Sequence, residues 1–261
     1  MNRIKLMLSI LLMLAASVGL AAEAIVRLPS EGGASLPYLL SQGEADKPPA
    51  AVAVLFNGGG GVVGLNKRIP QPGSNFLVRS RALFVGQGIA SALVDVPSDI
   101  NTMSDAYRMS ARHLRDIAAV VADLKQRFPG MKVYLVGTSR GTVSAAYAGA
   151  ALGPEIAGVV LSSTLFNSSK AGAGLSGFDF ASIGAPLLLV HHVDDRCSVT
   201  PYGPALGLGQ RYALISVSGG EPARSDECEA FSAHGFLGME APTVQAITAW
   251  MLGKSYARQI P

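Results

Sequence analysis

The run Gly137-Thr138-Ser139-Arg140-Gly141 sets one serine between two glycines at the spacing G-x-S-x-G. A serine hydroxyl attacks a carbonyl carbon only if a base takes its proton and an acid orients that base. Four histidines could supply the base. His113 lies in a charged, helix-patterned stretch and reads as a solvated surface residue. His191 and His192 end an apolar run, where they line a pocket or simply pack. His234, in Ser232-Ala233-His234-Gly235-Phe236, sits in a late loop before the last helical stretch and is the base candidate. Asp194 and Asp195, directly after the apolar residues 186–190, are the acid candidates.

These groups need a frame that brings distant segments together. Short apolar runs at 51–56, 89–94, 132–136, 158–161, 186–190 and 212–217 read as strands buried on both faces. Between them lie helical stretches. The clearest is 103–128, where Tyr107, Leu114, Ile117, Val121 and Leu124 recur near the helical period and Pro129-Gly130 ends the pattern. Alternation of this kind implies right-handed crossovers and a mostly parallel sheet with helices on both faces. Residues 24–40 carry a weaker β pattern suited to antiparallel edge strands. No repeat or linker divides the chain.

The frame gives the G-x-S-x-G run a meaning that the pattern alone lacks. A buried-strand pattern, 131–136, precedes it, and an alanine-rich helical pattern, 142–152, follows it. A tight strand-to-helix turn strains the serine backbone and lifts its hydroxyl above the strand. Side chains at 137 and 141 would collide with neighbouring backbone, hence the glycines. The helix N-terminus favours negative charge developing beside the serine.

In order Ser139, Asp194 or Asp195, then His234, the sequence resembles the α/β-hydrolase superfamily, of the serine-esterase and dienelactone-hydrolase kind, over essentially the whole chain after the leader. The resemblance implies an eight-stranded, mostly parallel sheet with a small cap or none. It implies Ser139 as nucleophile and His234 as general base. It favours Asp195 as the acid, since Val199 and Pro201 follow at the expected distance, with Asp194 as the alternative. It also implies two backbone N–H donors for an oxyanion. One is Arg140, next to the serine. The other lies in Phe56-Asn57-Gly58-Gly59-Gly60-Gly61 and is assigned to Gly59, with Gly60 possible. Asn57 stands where the family often has histidine. A phosphate-binding reading of these glycines fails for want of G-x-x-x-x-G-K-[ST] or of G-x-G-x-x-G with its acidic partner.

The N-terminus carries a leader pattern. Arg3 and Lys5 precede an apolar core at 6–14, and small residues follow to Ala22. Residues 1–22 therefore read as a cleaved signal peptide and 23–261 as one catalytic domain, exported to the periplasm or secreted and not stably inserted in a membrane. The full chain of 261 residues has a formal charge of +3, but Arg3 and Lys5 supply most of the excess, and no basic cluster suggests a nucleic-acid partner. With 49% hydrophobic and 15% charged residues the chain is not disordered. Its two cysteines, Cys197 and Cys228, are too few for a small disulfide scaffold or a four-thiolate zinc site. In an exported protein they most simply form one disulfide, joining the acid loop to the histidine loop.

Substrate clues are thinner. Asn75 and Arg79 share a helical face, and Arg79 together with Asn57 is expected to contact substrate, an arginine being suited to a carboxylate. Residues 95–99 end a strand on the edge where such pockets lie. The polar segment 162–184 reads as a surface loop or pocket rim, not a hydrophobic lid. The expected activity is hydrolysis of a small soluble ester, thioester or amide through an acyl-enzyme, with no metal or cofactor. A peptidase, an acyltransferase or a non-catalytic binding protein on the same fold remain alternatives, and the sequence leaves the oligomeric state open.

Overall fold

The computed structural model describes residues 22–44, 47–70 and 75–261. The expected leader lies outside these residues except for Ala22, which opens the first strand. The described strands are β1 (Ala22–Pro29), β2 (Ser35–Gln42), β3 (Ala51–Phe56), β4 (Ile89–Val94), β5 (Val133–Thr138), β6 (Gly158–Ser162), β7 (Leu187–His192), β8 (Ala213–Val217) and β9 (Gln259–Ile260). They form one sheet in the order β1-β2-β4-β3-β5-β6-β7-β8-β9. β1 and β2 pair antiparallel, β2 runs antiparallel to β4, and every other pairing is parallel. The sheet therefore has nine described strands, not the eight expected. The addition, β9, is two residues long, too short to leave a periodic signal.

Among the described residues six helices flank the sheet: α1 (Phe76–Gly86), α2 (Asp105–Arg108), α3 (Ala111–Arg127), α4 (Gly141–Leu152), α5 (Tyr202–Leu208) and α6 (Glu240–Met251). Strand residues alternate between two cores. Val52, Val54, Leu135, Val159 and Leu189 face α3 and α4, while Ala53, Leu55, Val136, Val160 and Leu188 face α1 and α6. That period of two, with apolar side chains on both faces, is why the runs read as continuously apolar.

The single helix expected over 103–128 is two helices. Ser104 caps α2 by accepting from Tyr107 N, and Ser110 caps α3 by accepting from His113 N. A serine hydroxyl at such a position satisfies an amide that the preceding turn would otherwise hold, so it restarts the helix. His113 lies on the buried face of α3 with Ile117, Val120 and Leu124, correcting its assignment to the surface. His113 is 1% exposed, and its Nε2 lies 2.9 Å from Ser144 Oγ on α4.

Segment 163–184 is an irregular excursion with one 3-10 turn, Phe180–Ser182, and no α-helix. Leu165, Leu175 and Ile183 anchor it in the core beside Phe178 and Phe180. It forms a packed rim and not a lid.

Candidate active site

Backbone packs closely against backbone where β5 turns into α4. A Cβ at Gly137 would lie 2.4 Å from the Gly141 carbonyl oxygen, and one at Gly141 would lie 2.0 Å from the Phe56 carbonyl oxygen. Both positions must be glycine. Ser139, between them, has φ +52°, a left-handed conformation that costs a non-glycine residue about 1–3 kcal/mol. Its N–H donates to Ser162 O at 3.0 Å, and its carbonyl accepts from Thr142 N at 2.9 Å. The turn is thus fixed from both sides, with the side chain half-exposed at the sheet's C-terminal edge.

The loops after β7 and β8 arrive at the same edge. Asp195 has a fully buried side chain, and its Oδ2 lies 3.0 Å from His234 Nδ1. Its Oδ1 accepts from Cys197 N at 3.0 Å. Asp194, the alternative acid, is exposed, and its backbone N–H donates to His192 Nδ1. The carboxylate facing His234 is therefore that of Asp195. Holding the proton on Nδ1 leaves Nε2 as an acceptor, the tautomer a general base needs.

The sequence reading missed Thr200. Its hydroxyl donates to Asp195 Oδ2 at 2.9 Å and lies 3.1 Å from His234 Nδ1, bridging the two side chains inside the protein. Thr200→Val keeps the shape and removes both bonds. We expect it to lower kcat about tenfold with little change in KM, with Thr200→Ser close to wild type. Equal kcat for all three would dismiss the hydroxyl. Ser163 was also missed. At φ +42°, it donates from Oγ to the His234 carbonyl at 2.7 Å and holds the histidine loop.

Cys197 and Cys228 are bonded and tie the acid loop to the histidine loop. Both line the cavity above Ser139. Closing a loop of 31 residues stabilises a fold by about 3.5–4 kcal/mol on the chain-entropy view. The double variant Cys197→Ser, Cys228→Ser should lose that stability in urea unfolding, and its kcat should fall more than its KM changes. An unchanged unfolding midpoint would refute the staple.

The loop after β3 closes the fourth side. Gly58 passes so near Ser139 that a Cβ there would sit 3.1 Å from Ser139 Cβ. The backbone N–H groups of Gly59, Gly60 and Arg140 have no hydrogen-bond partner among the described residues. The Arg140 side chain turns to buried Asp105, with Nε at 3.0 Å and Nη2 at 2.8 Å from Oδ1. Ser139, His234, Gly59, Gly60 and Arg140 share a cavity of about 410 Å³. Asn57, Asn75, Leu165 and Ser169 also line it.

Two expectations about substrate contacts need correcting. Arg79 does not line this cavity. Its Nε lies 2.7 Å from Glu240 Oε1, its Nη2 donates to Gly235 O, and its guanidinium sits over the Phe231 ring. A carboxylate partner is already in place, so Arg79 braces α1 against α6 and the histidine loop. Asp95 also points inward. At 1% exposure it accepts from the N–H groups of Val63, Gly64 and Leu65 at 2.7–2.9 Å, and so anchors the chain just beyond the glycine loop. Asn57 does line the cavity, with Nδ2 donating to Val62 O and Oδ1 buried without a partner among the described residues. His191 is a packing residue. Its Nε2 accepts from Thr164 N at 2.9 Å, and its ring stacks on Phe166.

A sequence model of the serine aminopeptidase family S33 matches residues 104–194, a span holding Ser139 but ending before Asp195 and His234. No curated protein is a significant match. Solved structures are similar over nearly the whole chain. A cold-adapted esterase from an Arctic intertidal metagenomic library superposes with a TM-score of 0.59 at 18% identity, over 87% of this chain and 93% of that one. An α/β serine hydrolase without a lid from Xanthomonas campestris gives 0.57 at 15%, over 88% and 92%. Dienelactone hydrolase from Anabaena variabilis gives 0.57 at 15%, over 89% and 96%. At these identities the likeness is one of fold.

Proposed function

We propose that the chain, which has the fold of esterases and dienelactone hydrolase, is a serine hydrolase that cleaves a carboxylic ester of a small soluble substrate through an acyl-enzyme. The observation that carries this reading is the strained Ser139 in one cavity with a His234 whose Nδ1 is held 3.0 Å from buried Asp195. Ser139 Oγ attacks the ester carbonyl while His234 Nε2 takes its proton. The resulting oxyanion is received by the N–H groups of Gly59, or Gly60, and Arg140. His234 then protonates the departing alkoxide. A water, deprotonated by His234, attacks the acyl-enzyme and frees the acid and Ser139.

An open cavity rimmed by Ser169 and glycines, with no helical lid, suits small polar esters over long acyl chains. The family match at 104–194 gives peptide-like amides a second claim, through the same groups. The leader pattern at 1–22 and the disulfide support export, since such bonds persist in oxidising compartments. Among the described residues no helix is long and apolar enough to cross a membrane. Residues 23–261 then form the single catalytic domain.

The test is fluorophosphonate labelling with mapping of the modified peptide, beside hydrolysis of p-nitrophenyl esters of graded acyl length and of aminoacyl p-nitroanilides. The proposal expects phosphonylation at Ser139 and faster turnover of short esters than of anilides. An unlabelled wild type that cleaves neither class would overturn it. Faster anilide turnover would make the enzyme a peptidase.

A further inference from the structure

Beneath the glycine loop lies a buried cation to which the sequence gives no role. Arg108, on α2, is the largest fully buried side chain, at 0% exposure. Its Nη2 donates to Gly59 O at 3.1 Å and reaches Asn57 O at 3.4 Å. Its Nη1 donates to Ser144 Oγ, on α4, at 2.9 Å. One guanidinium therefore grips the glycine loop and the helix that begins just after Arg140.

We propose that Arg108 is a positioning residue for the oxyanion hole, holding the glycine loop so that its N–H groups face the cavity. This rests on the serine-hydrolase reading above.

The argument begins with the peptide unit. In a planar trans peptide the C=O and N–H point in opposite directions. Drawing Asn57 O and Gly59 O toward Arg108 turns the N–H groups of Gly58 and Gly60 the other way. The two remaining loop carbonyls are also held, Gly58 O by Gly61 N at 3.0 Å and Gly60 O by Met103 N at 2.8 Å. All four loop carbonyls are thus occupied, while the N–H groups of Gly58, Gly59 and Gly60 have no partner among the described residues. A loop of four glycines has little stiffness of its own, so its orientation must come from such partners.

The site is shaped to the guanidinium. A Cβ at Gly61, which has φ +78°, would lie 2.9 Å from Arg108 Nη2. The surrounding charges leave a net positive field under the loop. Asp105 pairs with Arg140, and its buried carboxylate offsets that one of the two guanidiniums. Burial, and then the charge of Arg140, draw Arg108 down to about 9, opposed by Asp105, so it remains cationic near neutral pH. His113, across Ser144, is held neutral and adds no charge. A fixed cation behind polarised peptides assists an anion forming in front of them.

The test compares wild type with Arg108→Gln, Arg108→Lys and Ser144→Ala on p-nitrophenyl acetate. Sites are counted by fluorophosphonate labelling run to completion. Each variant is also measured for inhibition by phenylboronic acid, which forms an anionic tetrahedral adduct on the serine. Arg108→Gln should lower kcat per labelled site by about 10- to 100-fold, weaken phenylboronate by a similar factor, and leave KM within about threefold. Arg108→Lys, which keeps the charge but not the fork, should fall between. Ser144→Ala, which frees the other end of the guanidinium, should show the same proportional loss on a smaller scale, and it decides the matter if Arg108→Gln does not fold. Normal kcat per site in the soluble variants, or lost kcat with unchanged phenylboronate affinity, would overturn the proposal. A wild type inert to label and ester alike would instead remove the hydrolase reading on which it rests.

Discussion

Ser139→Gly should abolish turnover and raise stability in the same protein. Removing the hydroxyl takes away the attacking atom, and losses of a triad nucleophile run to about 10⁵–10⁶ in kcat. The same change relieves the backbone, since φ +52° is a conformation glycine adopts without strain. Relief of about 1–3 kcal/mol less the added freedom of the unfolded chain leaves a net gain of about 1 kcal/mol. For a chain this size that raises Tm by about 2–4 °C. Ser139→Ala serves as the control, equally inactive but still strained, with Tm near that of wild type. The pair separates chemistry from conformation. A glycine variant no more stable than the alanine variant would show that the elbow stores no strain, and residual activity above about 1% in either would remove Ser139 as nucleophile.

Mild acid should destabilise the fold sharply between pH 7 and pH 5, through two histidines outside the proposed chemistry. Burial first, and then the charge of Arg108, lower His113 from 6.5 to about 3. Burial lowers His191 to about 3 as well, with Asp195 opposing and His234 assisting. Below pH 6.5 both take up protons readily only in the unfolded chain, so the unfolded state gains protons and stability falls as pH falls. The contribution is complete above pH 6.5 and is lost progressively toward pH 3. At pH 5 the loss is about 2 kcal/mol for each histidine. Asp116, raised by its own burial, works in the opposite direction. Urea unfolding followed from pH 7.5 to pH 5 measures the slope. His113→Gln and His191→Gln should each flatten it by about half. A wild-type stability that does not change over this range would refute the assignment.

Much of the frame was legible because it depends on local chemistry. Six apolar runs became β3 to β8 with ends moved by one or two residues, since strands buried on both faces leave no other pattern. The elbow was readable because its glycines are forced by backbone contacts within a few ångströms. The errors came where local pattern competes with something finer. Ser110 restarts a helix that periodicity alone would continue, and the charged neighbours of His113 mask its place on the buried face of α3, four residues before Ile117. Arg79 has the chemistry to bind a carboxylate, and the structure supplies one from Glu240, 161 residues away.

The sequence by itself determined the order of the six core strands, the tight serine turn, the Asp195 and His234 loops and the pairing of its two cysteines. Each is set by residue type and spacing along the chain: apolar periodicity, obligatory glycine, and a count that allows one disulfide. Tertiary structure decided which aspartate faces His234, that Thr200 bridges the two, that Arg79 is a brace and that Arg108 lies under the glycine loop. Those facts depend on which side of a loop is buried and on what arrives from a strand or helix distant in sequence. A neutral or charged side chain has the same local signature whether its partner is water, a substrate or another part of the protein. Only the packed fold, which removes the water and presents the partner, distinguishes them.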